Sequence, residues 1–277
     1  MTINDLQGCL SDVCETADQQ NGSYSHADYY FSFCNLISHI LLFGITVAVV
    51  YKCLLLKLAH TAGHAFYCTI GFVFFMGEAL LVRNSSSLEA WIGQTNLNRL
   101  HAVLGGLAFL VGVGGIAIKT WQKLERKRED PNATVRHFRS NHGFFGKFIC
   151  TRPKLVWKCL IYSLPSGIIG CAFLLGSVLS GLSLYFISSS IVSLKFLHRF
   201  FGLIGFLALM VSQMFGYNTG FGRRQWKAHH QNLFKFFTFI ATLTTSNYEL
   251  RRFLRDIYVL ISNSLFEAEP VQAREEL

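Results

Sequence analysis

Residues 58–82 read LAHTAGHAFYCTIGFVFFMGEALLV, and Glu78 is the only formal charge in the stretch. A bilayer core about 30 Å thick is crossed by roughly 20 apolar residues, each rising ~1.5 Å along a helix. This stretch is long enough to cross, and the rest of the chain agrees. Of 277 residues, 51% are hydrophobic and only 15% charged, and Phe outnumbers Pro by 26 to 4. Mean hydropathy is +0.36. A soluble domain carries roughly 25% charged residues to keep its surface wetted, so this composition excludes one. The formal charge of +9 then belongs to loops at lipid headgroups and gives no reason to expect nucleic acid.

Working outward, Tyr29 to Tyr51 is the first charge-free run, Leu100 to Ile118 the third span and Phe200 to Gly222 the fifth. Between them Cys159 to Leu194 is charge-free for 36 residues, more than one crossing requires. A weaker sixth candidate, Asn232 to Thr245, is short and interrupted by Lys235. Runs of this length suit helices and not the short strands of a barrel, the one other fold that satisfies its backbone in lipid. The expected fold is an all-α integral membrane bundle of about six transmembrane helices. Gly105-Gly106 and Gly112 to Gly115 fit close helix–helix contact. No cleaved signal peptide is expected, since the head has neither a basic n-region nor an apolar h-region. Cys34, Cys53, Cys68, Cys159 and Cys171 lie in or beside apolar runs and read as small apolar residues. The expected organisation is a polar N-terminal segment (1–28), a transmembrane domain (29–247) and a polar C-terminal tail (248–277) to which no role is assigned.

Ten His are present, and four stand at successive helix heads. His64 opens the second span, His101 the third and His198 the fifth, while His142 precedes the long fourth run. An ionisable group at a lipid boundary needs a partner or a task. Because successive helices alternate in direction, His64 can face His142 near one surface and His101 can face His198 near the other. Two bis-His sites, one per leaflet, are what two b-type haems stacked across a bilayer require, since imidazole is an axial ligand of haem iron. The competing explanation is ordinary interfacial histidine; His26, His39, His60, His137, His229 and His230 are the comparison set, with His229-His230 in the last loop read as solvated. His39 lies inside the first span with no evident counterpart and reads as a helix-packing polar residue.

The same residues carry a resemblance. His64-Ala-Phe-Tyr-Cys-Thr-Ile-Gly71, continuing to Gly77-Glu78-Ala79-Leu80-Leu81-Val82, resembles the second helix of the cytochrome b561 family. Arg99-Leu-His101 is similar to the start of its third helix, Asn141-His142-Gly-Phe-Phe-Gly146 to its fourth-helix motif, and Lys195-Phe-Leu-His198-Arg-Phe-Phe-Gly202 to its fifth. The resemblance covers about residues 30 to 245 and is nearest the small transmembrane-reductase branch. It implies two haem b groups held by helices two to five, His101 with His198 on the cytosolic side and His64 with His142 on the other. It implies an enzyme, an ascorbate-dependent reductase moving electrons from cytosolic ascorbate to monodehydroascorbate or a ferric chelate across the membrane. Substrate binding would fall to Arg83 and Lys195. Arg83 stands one place early, with Asn84 where the family's basic residue would be, and headgroup contact is the alternative role for both. The expected location is an internal membrane (endoplasmic reticulum, vesicle or lysosome) rather than the plasma membrane. A homodimer is a further partner the resemblance admits.

Two departures stand out. Family topology puts the N-terminus in the cytosol, yet Lys119–Arg139 holds seven basic residues and the chain has no Lys or Arg before Lys52, the reverse of the positive-inside rule. Asn21, Asn84 and Asn132 head glycosylation sequons that report orientation. Second, Lys147 to Gly167 interrupts the fourth helix. Omitting those 21 residues shortens the His142–His198 spacing from 56 to 35, beside 37 for His64–His101 and 41 for His101–His142. The segment reads as an in-frame insertion. Its presence keeps open a haem-deficient, non-catalytic protein in which His142 is displaced from His64. A channel or transporter would need more midplane charge and broken helices than Glu78 and Pro165 provide.

Overall fold

The computed structural model describes residues 26–58, 61–130, 166–186, 192–218 and 220–266, and all that follows concerns those residues. No strand occurs among them. The elements are α1 (His26–Leu55), α2 (Thr61–Cys68), a π-helical segment (Thr69–Phe75), α3 (Met76–Arg83), α4 (Ser86–Ile92), α5 (Gln94–Glu129), α6 (Ser166–Phe186), α7 (Val192–Gly216), α8 (Gly220–Gln225) and α9 (Ala228–Phe266). The chain divides into two compact units, Met1–Cys34 and Asn35–Leu277. The described part of the first is the start of α1, where Tyr30 and Phe31 meet edge to face at 5.7 Å. The second carries everything below.

Five segments are long and apolar enough to cross a bilayer: Tyr29–Leu55, Thr61–Arg83, Gln94–Arg126, Gly167–Phe186 and Val192–Gly216. The protein is a multi-pass, all-α membrane bundle. Its core draws Leu42 and Ile45 from α1, Phe72 and Val73 from the π segment, Ala108 from α5, Leu174 from α6, Phe206 and Met210 from α7 and Ala241 from α9. Leu36, Ile40, Phe43 and Val47 of α1 are large, apolar and exposed. Their spacing of three and four residues makes one helical stripe, which lipid covers at no cost.

Close approach is made by small residues. A Cβ on Gly71 would collide with the backbone of Gly112, and one on Gly112 with the ring of Phe72. That contact lets the π segment lie against α5 backbone to backbone, the packing mode that lipid favours. At the π segment's end the Met76 N–H reaches both Gly71 O and Val73 O. A π turn re-aims every residue after it and is frequent at functional sites. Here it lies between His64 and Ala79 on one continuous helical run.

Helix ends differ from the charge-free runs. The third and fifth spans were expected to open at Leu100 and Phe200, but α5 starts at Gln94 and α7 at Val192. His101 and His198 therefore lie about two turns inside their helices. Likewise α5 continues to Glu129, so the first half of the expected loop Lys119–Arg139 is helical. Absence of charge marks the lipid slab, whereas the backbone ladder continues into headgroups. The fourth span is α6, starting at Ser166. Residues 147–165 of the expected insertion, together with His142, lie outside the described residues.

Candidate functional site

His101 of α5 and His198 of α7 meet ring to ring, with centroids 6.0 Å apart and planes at 83°. Each ring is held from behind. His101 Nδ1 donates to Ala79 O at 2.8 Å, and His198 Nδ1 donates to Ser177 O at 2.9 Å. A carbonyl can only accept, so each bond fixes the tautomer whose Nε2 carries the lone pair. Ala79 lies on α3 and Ser177 on α6, so four helical segments define one pair of imidazoles. Gly181 of α6 completes the wall: a Cβ there would stand 3.0 Å from His198 Cε1 and 3.1 Å from its Nδ1. Ser177 O is also tied by Ser180 Oγ at 3.0 Å.

The opposite end is built on the same plan. His64 Nδ1 donates to Gly115 O at 3.0 Å, with Cys68 Sγ 3.4 Å away. The helical run of residues 61–83 thus anchors the histidine of α5, and α5 anchors the histidine of that run. The reciprocity follows from antiparallel packing. Fifteen residues separate His64 from Ala79, which sets the two levels about 20 Å apart along the axis. The apolar core, with Phe72 and the fully buried Phe206, fills the space between. The partner expected for His64, His142, lies outside the described residues. Among the described residues no group of three or more His, Cys, Asp or Glu gathers as a metal cluster.

Arg83 and Lys195, expected to share a substrate site, differ in setting. Lys195 is exposed on the first turn of α7. Arg83 ends α3 within electrostatic reach of Arg252, Glu249 and Arg199, and both imidazoles sense Arg83 and Glu249. The sequence reading missed Glu249, Arg252 and Asp256, which it placed in a tail without a role. A signal existed, because their spacing of three and four residues puts them on one helical face. The expectation that His39 lacks a counterpart is also corrected: His39 Nδ1 lies 2.9 Å from Glu78 of α3. Span-by-span reading had no means to pair helices one and two at that level.

The family model for eukaryotic cytochrome b561 matches residues 63–222, more than half of the chain. The chain belongs to the cytochrome b561 family. No curated protein matches it, and no solved structure does. Cytochrome b561 proteins bind haem b and carry electrons across membranes, and this chain's apolar helices and part-buried histidines are of that kind. The matched region holds His64, His101, Arg83, Lys195 and His198 and ends before α9.

Proposed function

We propose that this cytochrome b561 binds two b haems, one between His101 and His198 and one between His64 and His142, and moves electrons from cytosolic ascorbate to monodehydroascorbate or ferric iron. The observation that supports it is the facing pair. Imidazole is an axial ligand of haem iron, and each of these two rings would hold such an iron through its free Nε2. His101 and His198 stand at 6.0 Å with both Nδ1 atoms already engaged. The donor set therefore fits. Haem b bound there supplies a one-electron carrier whose potential depends on axial ligands and burial.

The chain's own contributions follow from what holds each ring. Ala79 O and Ser177 O keep the imidazoles oriented and raise their basicity as ligands. The Phe72–Phe206 core excludes water between the two levels and so bars proton leakage. Arg83, in a charged cluster beside the first pair, suits an anionic reductant, with Lys195 as an exposed approach contact. An internal membrane is the location that fits a shuttle between ascorbate pools.

The test is the visible spectrum of the purified protein with a haem count per chain. His101→Ala and His198→Ala are each expected to remove the same haem and leave the other. If every single His substitution strips both haems from a folded protein, the two sites are not distinct.

A further inference from the structure

The polar end of α9 covers the His101–His198 level of the molecule. Phe253 stacks on Phe196 at 5.2 Å and 21° and leans on Phe200 at 5.9 Å. Asp256 accepts from Arg199 Nη1 at 2.5 Å, and Arg199 directly follows His198. These contacts tie residues 249–256 to the head of α7. Between them lies Arg252, its guanidinium 5.6 Å over the Tyr248 ring and its buried Nε without a hydrogen-bond partner among the described residues. Glu249, only 8% exposed, and Arg83 lie within electrostatic reach.

The charges balance but the donors do not: Arg199 is taken by Asp256, Glu89 and Glu249 stand against Arg83, and Arg252 Nε still has no hydrogen-bond partner among the described residues. A buried guanidinium donor left unpaired is costly, and an arginine fork fits a planar oxyanion with two parallel hydrogen bonds. The family match ends at residue 222, so it holds Arg83 and Arg199 but does not reach Glu249, Arg252 or Asp256.

We propose that the polar end of α9, with Arg252 at its centre and Arg83 beside it, binds a small oxyanion at the His101–His198 level. Two sources have this chemistry: a propionate carboxylate of the haem, or the ionised enediol of the reductant. The inference rests on the electron-transfer reading above. The residue is a binding one, and without it the fold still has its apolar core.

The test uses the full, haem-loaded protein in detergent with Arg252→Gln and Arg252→Lys. Two quantities are read: the midpoint potential of the haem without donor, and KM against kcat for ascorbate. A lowered potential in Arg252→Gln, with or without a change in KM, identifies the haem carboxylate. A KM raised about tenfold or more, as expected for one hydrogen bond to a charged group, with kcat and potential unchanged, identifies the reductant. Arg252→Lys, which keeps charge but loses the fork, should lie between Gln and the parent. Where Gln does not fold, Lys is decisive, because a lost fork must still move KM or potential. Parent-like values of both overturn the proposal. A parent chain that holds no haem or is not reduced by ascorbate sinks the electron-transfer reading, whereas an inert Arg252 in a working parent sinks this inference alone.

Discussion

At the scale of single residues, the chemistry depends on what stands behind each imidazole. His198 is held by Ser177 O on one side and by the missing side chain of Gly181 on the other. Gly181→Ala places a methyl group in the position that the ring's Cε1 and Nδ1 need left open. The ring must give by a few tenths of an ångström, which strains its bond to Ser177 O. We expect Gly181→Ala to lower occupancy or shift the spectrum of the His101–His198 haem while the other haem is unaffected. Electron paramagnetic resonance of the two ferric centres separates them. An unchanged pair of signals would mean that the ring has slack the contact distances do not suggest. None of this was visible beforehand: the motif marks His198, but the glycine that faces it lies 17 residues earlier on another helix.

At the scale of elements, the helices were legible and their ends were not. Runs without charge located five spans because lipid tolerates little else, yet α5 and α7 each begin before their runs. The π segment had no local signature, since Thr69–Phe75 is ordinary apolar sequence and its geometry comes from packing on α5. The His39–Glu78 pair was equally hidden, because helix pairing at a given depth is a tertiary fact. The pair carries a prediction of its own. His39 and Glu78 have side chains 44% and 15% exposed, so each is easier to keep in the bundle with the other present. Polar contacts between membrane helices are worth about 0.6–1.7 kcal/mol. Thermal unfolding of His39→Leu, Glu78→Leu and the double variant should give a coupling of about 1 kcal/mol, with the double variant more stable than the two single losses predict. Strict additivity would show that the pair is a coincidence of packing.

At the scale of the whole molecule, two features remain where motif and charge disagree. Orientation is the first. If the motif order sets the sides, the loop holding Asn132 faces away from the cytosol and Asn21 does not. Glycosidase-sensitive mass on Asn132, lost in Asn132→Gln, is the expected result. Glycan on Asn21 alone would give the decision to loop charge.

The second feature is the segment Lys147–Gly167. The described fourth helix, α6, begins at Ser166, and it supplies Ser177 and Gly181 to the His198 wall. That end of the helix is fully engaged without any help from residues before it. The other end is where His142 would be needed opposite His64. Lys147, Arg152, Lys154 and Lys158 cannot be threaded through lipid to bring it there, since each charge at depth costs about 2.5–3.5 kcal/mol on insertion scales. We therefore expect the segment to loosen the support of His142 and to leave His101–His198 untouched. Expressing the full chain beside a version lacking Lys147–Gly167 should give unequal effects. The deletion is expected to raise occupancy of the His64 haem and the rate of ascorbate-driven transfer across vesicles, while the His101–His198 haem reduces equally in both. If the deletion lowers haem content and transfer together, residues 147–167 are an integral part of the fourth helix and not an interruption of it.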